Sequence, residues 1–478
     1  MTADSILGAA NDDEDANVTE NRDWILGDII HSVPLVVHYS AADALILIGS
    51  NDGMLHAFDD ASGDELWAFI PSDHLSRLKD LIPGGSGSHS YFIDSSPKTY
   101  TLTDGRKIAV FGFGRGGRAY YALDITSKTA PAFLWKVTNA SAGMSELGQS
   151  WSEPSFAKIA SGGTAVDAVI VGAGYDTYFD DPSHTTPNAS GMGRGVFVLN
   201  AETGALISFI HPTGMDWAIP STVAALDLTG DGLLDRAYVG DLGGQMWRID
   251  GSLAATLLFS APAGHKIFYA PDVVRDRGFL SVFFGTGDRS NPLETTVVDR
   301  MYQIKDDGTS NKTEASLVDV TSRVEQNGSD AEATLKDEVK AGSGWFIQLN
   351  EQPGEKVLTS PTAFFSVFFS TFTPVAGVCN AGGDARLYEL NYLTGGIPDT
   401  TVAAETPPGG NPPSVTRSDR TTVIGTSIPT ELTVTIQKEG STGFVASSGA
   451  VDQPPLPKLP NNVTPLSWRE CSTTTPCP

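Results

Sequence analysis

Apolar and polar residues alternate in short runs along this chain, and the runs close on glycine or on an acid followed by a turn. Period-two alternation marks a strand with one face buried. One phrase recurs: an aromatic, any residue, an aliphatic or Phe, then Asp or Asn. It stands as HAFD at His56–Asp59, YALD at Tyr121–Asp124, FVLN at Phe197–Asn200, WRID at Trp247–Asp250, YQIK at Tyr302–Lys305 and YELN at Tyr388–Asn391. His takes the aromatic place in the first, and Lys the acid place in the fifth. An imperfect seventh, FIQLN, lies at Phe346–Asn350. DASG, NAETG and NYLTG supply turns after several of them, with glycine free to take positive φ.

A second phrase interleaves with the first. Proline opens an apolar run at Pro34, Pro97, Pro154, Pro220, Pro271 and Pro361, and proline is tolerated at the first residue of a strand. Between the two phrases sits a β run ending in glycine: ALILIGSNDG, KIAVFGFG, DAVIVGAG, RAYVGDLGG and LSVFFGTGD. Each unit therefore reads as three strands and often a fourth, such as ELWAFI or LISFI. Four-stranded antiparallel units repeated radially make a β-propeller. The fold class expected is all-β, a modified propeller with long loop insertions and a Pro-rich C-terminal tail. The seventh phrase sets the expected count at seven blades, with six or eight open, and an array of β-sandwiches is the alternative architecture. Helix is expected only as a turn or two within Ala331–Lys340. The expected division is an acidic lead-in over 1–20, the propeller over 21–400, and a tail over 401–478. That tail holds a Pro/Gly-rich loop, strand-like residues 421–436 that either close the ring or form an accessory hairpin, and two terminal cysteines.

Composition agrees with turns and short strands. The 478 residues include 50 Gly and 29 Pro, with only 18% charged. The charge of −26 excludes the basic footprint of a nucleic-acid binder and electrostatic docking to anionic membrane, and it favours cations. No apolar run reaches the roughly 18 residues of a membrane helix. The most apolar window, Ala363–Val378, is broken by Ser366, Ser370, Thr371, Thr373 and Pro374 and reads as two buried strands. The start is polar and acidic, without the apolar core of a signal peptide, which suits either a cytoplasmic protein or a piece of an exported one. Cys379, Cys471 and Cys477 lack metal-site spacing. One disulfide is expected, from Cys379 to a tail cysteine; three free thiols in a reducing compartment are the alternative.

The sharpest chemical signal is Asp227-Leu-Thr-Gly-Asp231-Gly-Leu-Leu-Asp235. Oxygen donors at positions 1, 3, 5, 7 and 9, with glycine at 6, form the start of an EF-hand-like calcium loop. Asp227, Thr229, Asp231 and Asp235 offer side-chain oxygens, and Leu233 its carbonyl. Position 12 is Tyr238 instead of a bidentate Glu, and the flanks read as strands. The loop is thus expected to bind one Ca2+ in the hairpin joining the first two strands of a blade, with modest affinity, as a structural staple or a regulatory site. An acidic turn without metal is the plain alternative.

Other motifs carry less. Gly112–Gly117 (GFGRGG) matches a dinucleotide fingerprint, but a strand follows where a helix is required, so it reads as a blade turn. The acids of Tyr175–Asp181 read as solvated loop residues, with a second ion as the rival reading. GxSxG, HExxH and P-loop motifs are absent from the sequence, no catalytic residue is assigned, and the protein is expected not to be an enzyme. His31 reads as a structural histidine.

The phrases LGDIIHSVPLVV, IGSNDGMLHAFDDASGDELWAFIP, GRGGRAYYALDIT, LGQSWSEPSFAKI, DLTGDGLLDRAYVGDLGGQMWRID and TFTP…C…G…LYELN together resemble the C-terminal propeller of PilY-type type IV pilus assembly and tip-associated adhesin proteins. The likeness runs from about Leu26 to Trp468. It implies a propeller of about seven blades, exported to the periplasm, outer membrane or cell surface, and working with minor pilins at the pilus tip and with host or abiotic surfaces. It implies calcium at Asp227, Thr229, Asp231, Leu233 and Asp235, linked to the balance of pilus extension and retraction. The family commonly has Asn or Asp at the third position, where Thr229 stands here. Members usually carry an N-terminal von Willebrand A-like region, so this sequence is expected to be a C-terminal piece or a short member. Blades of the form NDGMLHAFDDASGDELW are also similar to quinoprotein dehydrogenases, which use a quinone with calcium, often under a vicinal disulfide; adjacent cysteines are lacking here. A metal-independent scaffold for outer-membrane protein assembly is a third reading.

Overall fold

The computed structural model describes residues 26–81, 89–324, 330–375, 382–398, 416–437, 440–447, 450–454 and 456. The lead-in 1–20, most of the Pro/Gly-rich loop, and Cys379, Cys471 and Cys477 lie outside them, and with these the expected disulfide.

The chain folds as a seven-blade β-propeller. Blade one is β1 (Leu35–Ser40), β2 (Asp43–Gly49), β3 (Leu55–Asp59) and β4 (Glu65–Phe69). Blade two is β5 (Lys98–Thr101), β6 (Lys107–Gly112), β7 (Ala119–Asp124) and β8 (Ala132–Thr138). Blade three is β9 (Ser155–Ser161), β10 (Thr164–Gly172), β11 (Val196–Asn200) and β12 (Leu206–Ile210). Blade four is β13 (Ala224–Leu226), β14 (Arg236–Gly240), β15 (Gln245–Asp250) and β16 (Ala255–Ser260). Each sheet is an antiparallel meander in sequence order.

Blade five starts as β17 (Asp272–Arg275), β18 (Leu280–Gly285) and β19 (Arg300–Asp306). The chain then lends β20 (Lys312–Thr313) to blade four, parallel to β16, and returns as β21 (Val318–Asp319). Helix α1 (Asp330–Ala341) precedes β22 (Gly344–Gln348), the fourth strand, which pairs with β19. Blade six holds β23 (Lys356–Val357), β24 (Thr362–Phe364), β25 (Ser366–Pro374), β26 (Gly383–Asn391) and β27 (Thr421–Gly425). Blade seven is the three-stranded β28 (Thr433–Gln437), β29 (Gly440–Ser447) and β30 (Ala450–Asp452). Strand pairing therefore continues past residue 400.

The repeat phrases map onto defined strands. Five of the six proline phrases precede the first strand of a blade, Pro361 stands instead between β23 and β24 of blade six, and the glycine-ended runs are second strands. Those glycines are contact points. A Cβ on Gly49 would lie 2.4 Å from the carbonyl oxygen of Ile93, and one on Gly172 would lie 2.5 Å from that of Ile219. In each case the neighbouring blade's lead-in crosses the strand end, and only hydrogen leaves room for it.

The aromatic phrases are third strands in blades one to six. FIQLN is the exception: it is β22, the fourth strand of blade five. Seven blades are present, but the seventh comes from residues 433–452 and not from that phrase. The second difference is α1, twelve residues where a turn or two was expected. Leu335 and Val339, one helical turn apart, bury themselves against Trp345 of β22, and that tertiary contact holds a mostly polar helix in place.

Six hydrophobic clusters each join two adjacent blades. In β6, Ile108 and Val110 face the Val169 and Phe197 side of blade three, while Ala109 and Phe111 face Leu45 and Leu47 of blade one. Central strands buried on both faces read as continuous apolar runs. Each fully buried Phe or Leu in such a layer contributes about 1.5–3 kcal/mol. Among the described residues no helix is long and apolar enough to cross a membrane.

Candidate functional site

Residues 227–235 form the hairpin between β13 and β14, the first two strands of blade four. Gly230 and Gly232 turn the chain with φ of 76° and 84°. The loop then wraps on its own acids. Asp227 accepts the amides of Gly230 and Gly232, both at 2.7 Å. Asp235 Oδ2 accepts those of Leu228 at 2.7 Å and Thr229 at 2.8 Å. Asp231 Oδ1 accepts that of Leu233 at 2.9 Å. The Thr229 amide above all, with that of Leu228, holds the Asp235 carboxyl below its ordinary range. Asp227, Thr229 and Asp231 are exposed; Leu233 and Asp235 are half-buried.

The five expected ligands therefore share one loop. In kind they suit calcium: three carboxylates, a hydroxyl and a carbonyl, all hard oxygen donors. In arrangement they are donors and not a finished sphere. Among the described residues no three Asp, Glu, His or Cys side chains gather as a ready metal cluster. A carboxylate has about four lone pairs, so one or two amide contacts leave each aspartate able to take an ion as well. Neighbouring contacts fix the loop from both sides. The Leu234 amide donates to the Lys158 carbonyl of β9 at 2.7 Å, and Arg275 Nη1 of β17 donates to the Leu228 carbonyl at 2.6 Å.

The other motifs find local uses. GFGRGG makes a short 3-10 turn at Gly114–Gly116 between β6 and β7. In the acidic loop, Asp176 caps a turn by accepting from the Tyr178 amide, Asp181 accepts from Ser183, and Asp180 accepts from the Tyr175 hydroxyl. His31 Nδ1 pairs with Asp94 Oδ2 at 2.7 Å.

A second polar concentration was not singled out in the sequence. His31, Asp94, Ser95, Ser96, Gly114, Arg115, Trp151, Glu153 and Arg289 line one cavity of about 60 Å3. They come from the lead-ins to blades one, two and three and from the turns after β6 and β18. Loops of blades one to three and of blade five can meet only near the propeller axis, so the cavity is the mouth of the central channel. Its parts lie up to 258 residues apart, from His31 to Arg289, and no local spacing signals such a site.

Residues 36–258 match the PilY1 beta-propeller domain family. The chain's likeness is to PilY1. That match spans blades one to four and contains the acidic loop. A type IV pilus biogenesis factor PilY1 homolog of Xylella fastidiosa is 28% identical over 426 residues, 78% of this chain and 33% of the relative. PilY1 of Pseudomonas aeruginosa is 26% identical over 487 residues, 81% of this chain and 40% of the relative. The chain thus spans well under half the length of these PilY1 proteins. The crystal structure of the Pseudomonas aeruginosa PilY1 C-terminal domain superposes with a TM-score of 0.63 at 23% identity, covering 87% of this chain and 94% of that domain. It shares the PilY1 propeller fold.

Proposed function

We propose that this chain is the calcium-binding propeller module of a type IV pilus biogenesis factor, acting outside the cytoplasm through protein contacts and without catalysis. The observation that carries the reading is the PilY1 propeller match over 36–258, which includes the Asp227–Asp235 loop. The curated relatives bear the name of pilus biogenesis factors. In this reading the module works with minor pilins at the pilus tip, sets the balance of extension and retraction, and takes part in surface attachment.

Calcium would supply a divalent charge that offsets the mutual repulsion of clustered aspartates. Asp227, Asp231 and Asp235 would hold it with Thr229 and the Leu233 carbonyl. The loop's own amide bonds hold these residues on one hairpin, and the carboxylates would have to draw together to complete the ligand set. Because the loop is bonded to blades three and five, tightening it would stiffen a surface shared by three blades.

The test is genetic. In the source organism, deletion of the gene is expected to reduce surface pili and twitching, and the Asp231→Ala allele to shift the extension–retraction balance without loss of the protein. Normal piliation in the deletion strain would sink the pilus reading. Normal pili and twitching with a calcium-free Asp231→Ala protein would sink the regulatory part alone.

A further inference from the structure

The channel mouth holds two arginines beside two acids, in a chain of net charge −26. Arg115 lies with its guanidinium 4.8 Å from the Trp151 ring centroid, and Arg289 with its own at 5.6 Å. Trp151 is fixed in turn by stacking on Tyr175 at 4.4 Å and by donating to Gln149 Oε1 at 3.0 Å. Two guanidiniums are thus held on one braced indole. Neither is neutralised closely. The Arg115 partner is Asp180, at 4.0 Å, and Arg289 donates to the neutral Tyr269 hydroxyl at 2.8 Å.

The lining also carries unmet hydrogen-bonding capacity. Asp94 is 4% and Ser95 6% exposed, and Asp94 Oδ1 and Ser95 Oγ are buried without a partner. A buried acceptor left unmade is costly, and both residues line the cavity. Their position is built, too. A Cβ on Gly114 would stand 3.1–3.2 Å from the Asp94 and Ser95 backbone and the Asp94 Cβ, so the glycine-rich turn that presents Arg115 also seats Asp94. The other acid of the site, Glu153, is matched by Lys98 at 2.8 Å.

We propose that the channel-mouth pocket binds a small carboxylic acid that also carries a hydrogen-bond donor. Arg115 and Arg289 take the carboxylate, Asp94 Oδ1 accepts from the donor, and the Ser95 hydroxyl completes the polar wall. A planar carboxylate matches the guanidinium fork. A phosphate dianion fits less well, because Asp94 and Glu153 face the same space and repel a doubled negative charge. The inference goes beyond the pilus reading and does not use the calcium loop.

The test is titration calorimetry of the full chain with glycolate, glycine and acetate as probes. Glycolate and glycine, which carry donors, are expected to bind about tenfold more tightly than acetate. Arg115→Gln and Arg289→Gln are each expected to weaken glycolate by about tenfold or more, and Asp94→Ala, which removes the acceptor, to erase its advantage over acetate. Melting temperatures identify any variant that fails to fold, and the remaining variants decide. Absence of binding by all three acids at about 10 mM, a level that even a ligand of few atoms reaches in a fitted site, overturns the proposal. So does equal affinity for acetate and glycolate, or unchanged affinity in both folded Gln variants. The readout involves neither pili nor calcium, so its failure is distinct from failure of the proposed function.

Discussion

The amide of Leu234 donates to the carbonyl of Lys158 at 2.7 Å, and the adjacent Leu233 bridges the same residue in parallel. The acidic hairpin of blade four is therefore stitched to the first strand of blade three. The bond ties the loop to the interface between two blades, where Val223, Leu234 and Ala237 pack on Ile159 and Val198.

Calcium is expected to raise thermal stability through this stitch. At free calcium about 100-fold above Kd, linkage gives roughly 2.7 kcal/mol, read as a rise in Tm that chelation reverses. Asp231→Ala should remove the rise. Hydrogen exchange at the Leu234 amide should slow with calcium in the parent protein only. An equal shift in Tm for parent and variant would place the effect outside the loop.

Gly232→Ala isolates the backbone from the surroundings. Gly232 has φ of 84°, and a Cβ there meets nothing within 4 Å. The cost is then conformational alone, about 1–2 kcal/mol, with weaker calcium binding because position 6 turns the loop. Urea unfolding and calorimetry of the variant check both parts. An unaltered midpoint would mean that the loop relaxes out of the left-handed region at no cost.

How much was legible follows from how local each signal is. Pro97 before β5 and Gly112 at the end of β6 are constraints that one residue imposes on its own strand or on one close neighbour, so they recur as phrases. FIQLN misled because the fourth strand of blade five, lying between two apolar layers, needs the same residues at Phe346 and Leu349 as a third strand does. Blade seven carries no such phrase, and its small core rests on Leu432 and Val445 packing against Phe368 of blade six. The acidic loop was visible because all five donors lie within nine residues. The channel mouth was not, since Asp94, Arg115, Trp151 and Arg289 are joined only by closure of the ring.

Gly116→Ala tests the tightest approach in the channel mouth. A Cβ there would lie 1.8 Å from the carbonyl oxygen of Phe92. Phe92 is fully buried, and its lead-in is held by Arg77 donating to the Gly116 carbonyl at 2.6 Å and to the Tyr91 carbonyl at 2.7 Å. Backbone cannot yield as a side-chain tip can, so a loss of about 3 kcal/mol or more is expected. A variant within about 1 kcal/mol of the parent in urea unfolding would show that the Phe92 lead-in moves freely.

Asp299 gives a pH dependence of defined sign. It is 2% exposed and accepts the Thr286 hydroxyl at 2.8 Å. Burial pushes its carboxyl up to about 7, against the hydrogen bond from Thr286 and the charge of Lys356. A carboxyl raised in the folded state binds its proton more tightly there than in the unfolded chain. Its contribution is complete below the unfolded value of about 4 and is lost as pH climbs toward 7, at up to roughly 1.4 kcal/mol per pH unit. Asp299→Asn keeps an acceptor for Thr286 but has no proton to lose. The variant should therefore gain stability relative to the parent between pH 4.5 and pH 7.5, by on the order of a few kcal/mol. Urea midpoints at the two pH values measure the difference directly. If it is the same at both, Asp299 titrates as an ordinary carboxylate, and Lys356 together with Thr286 offsets its burial.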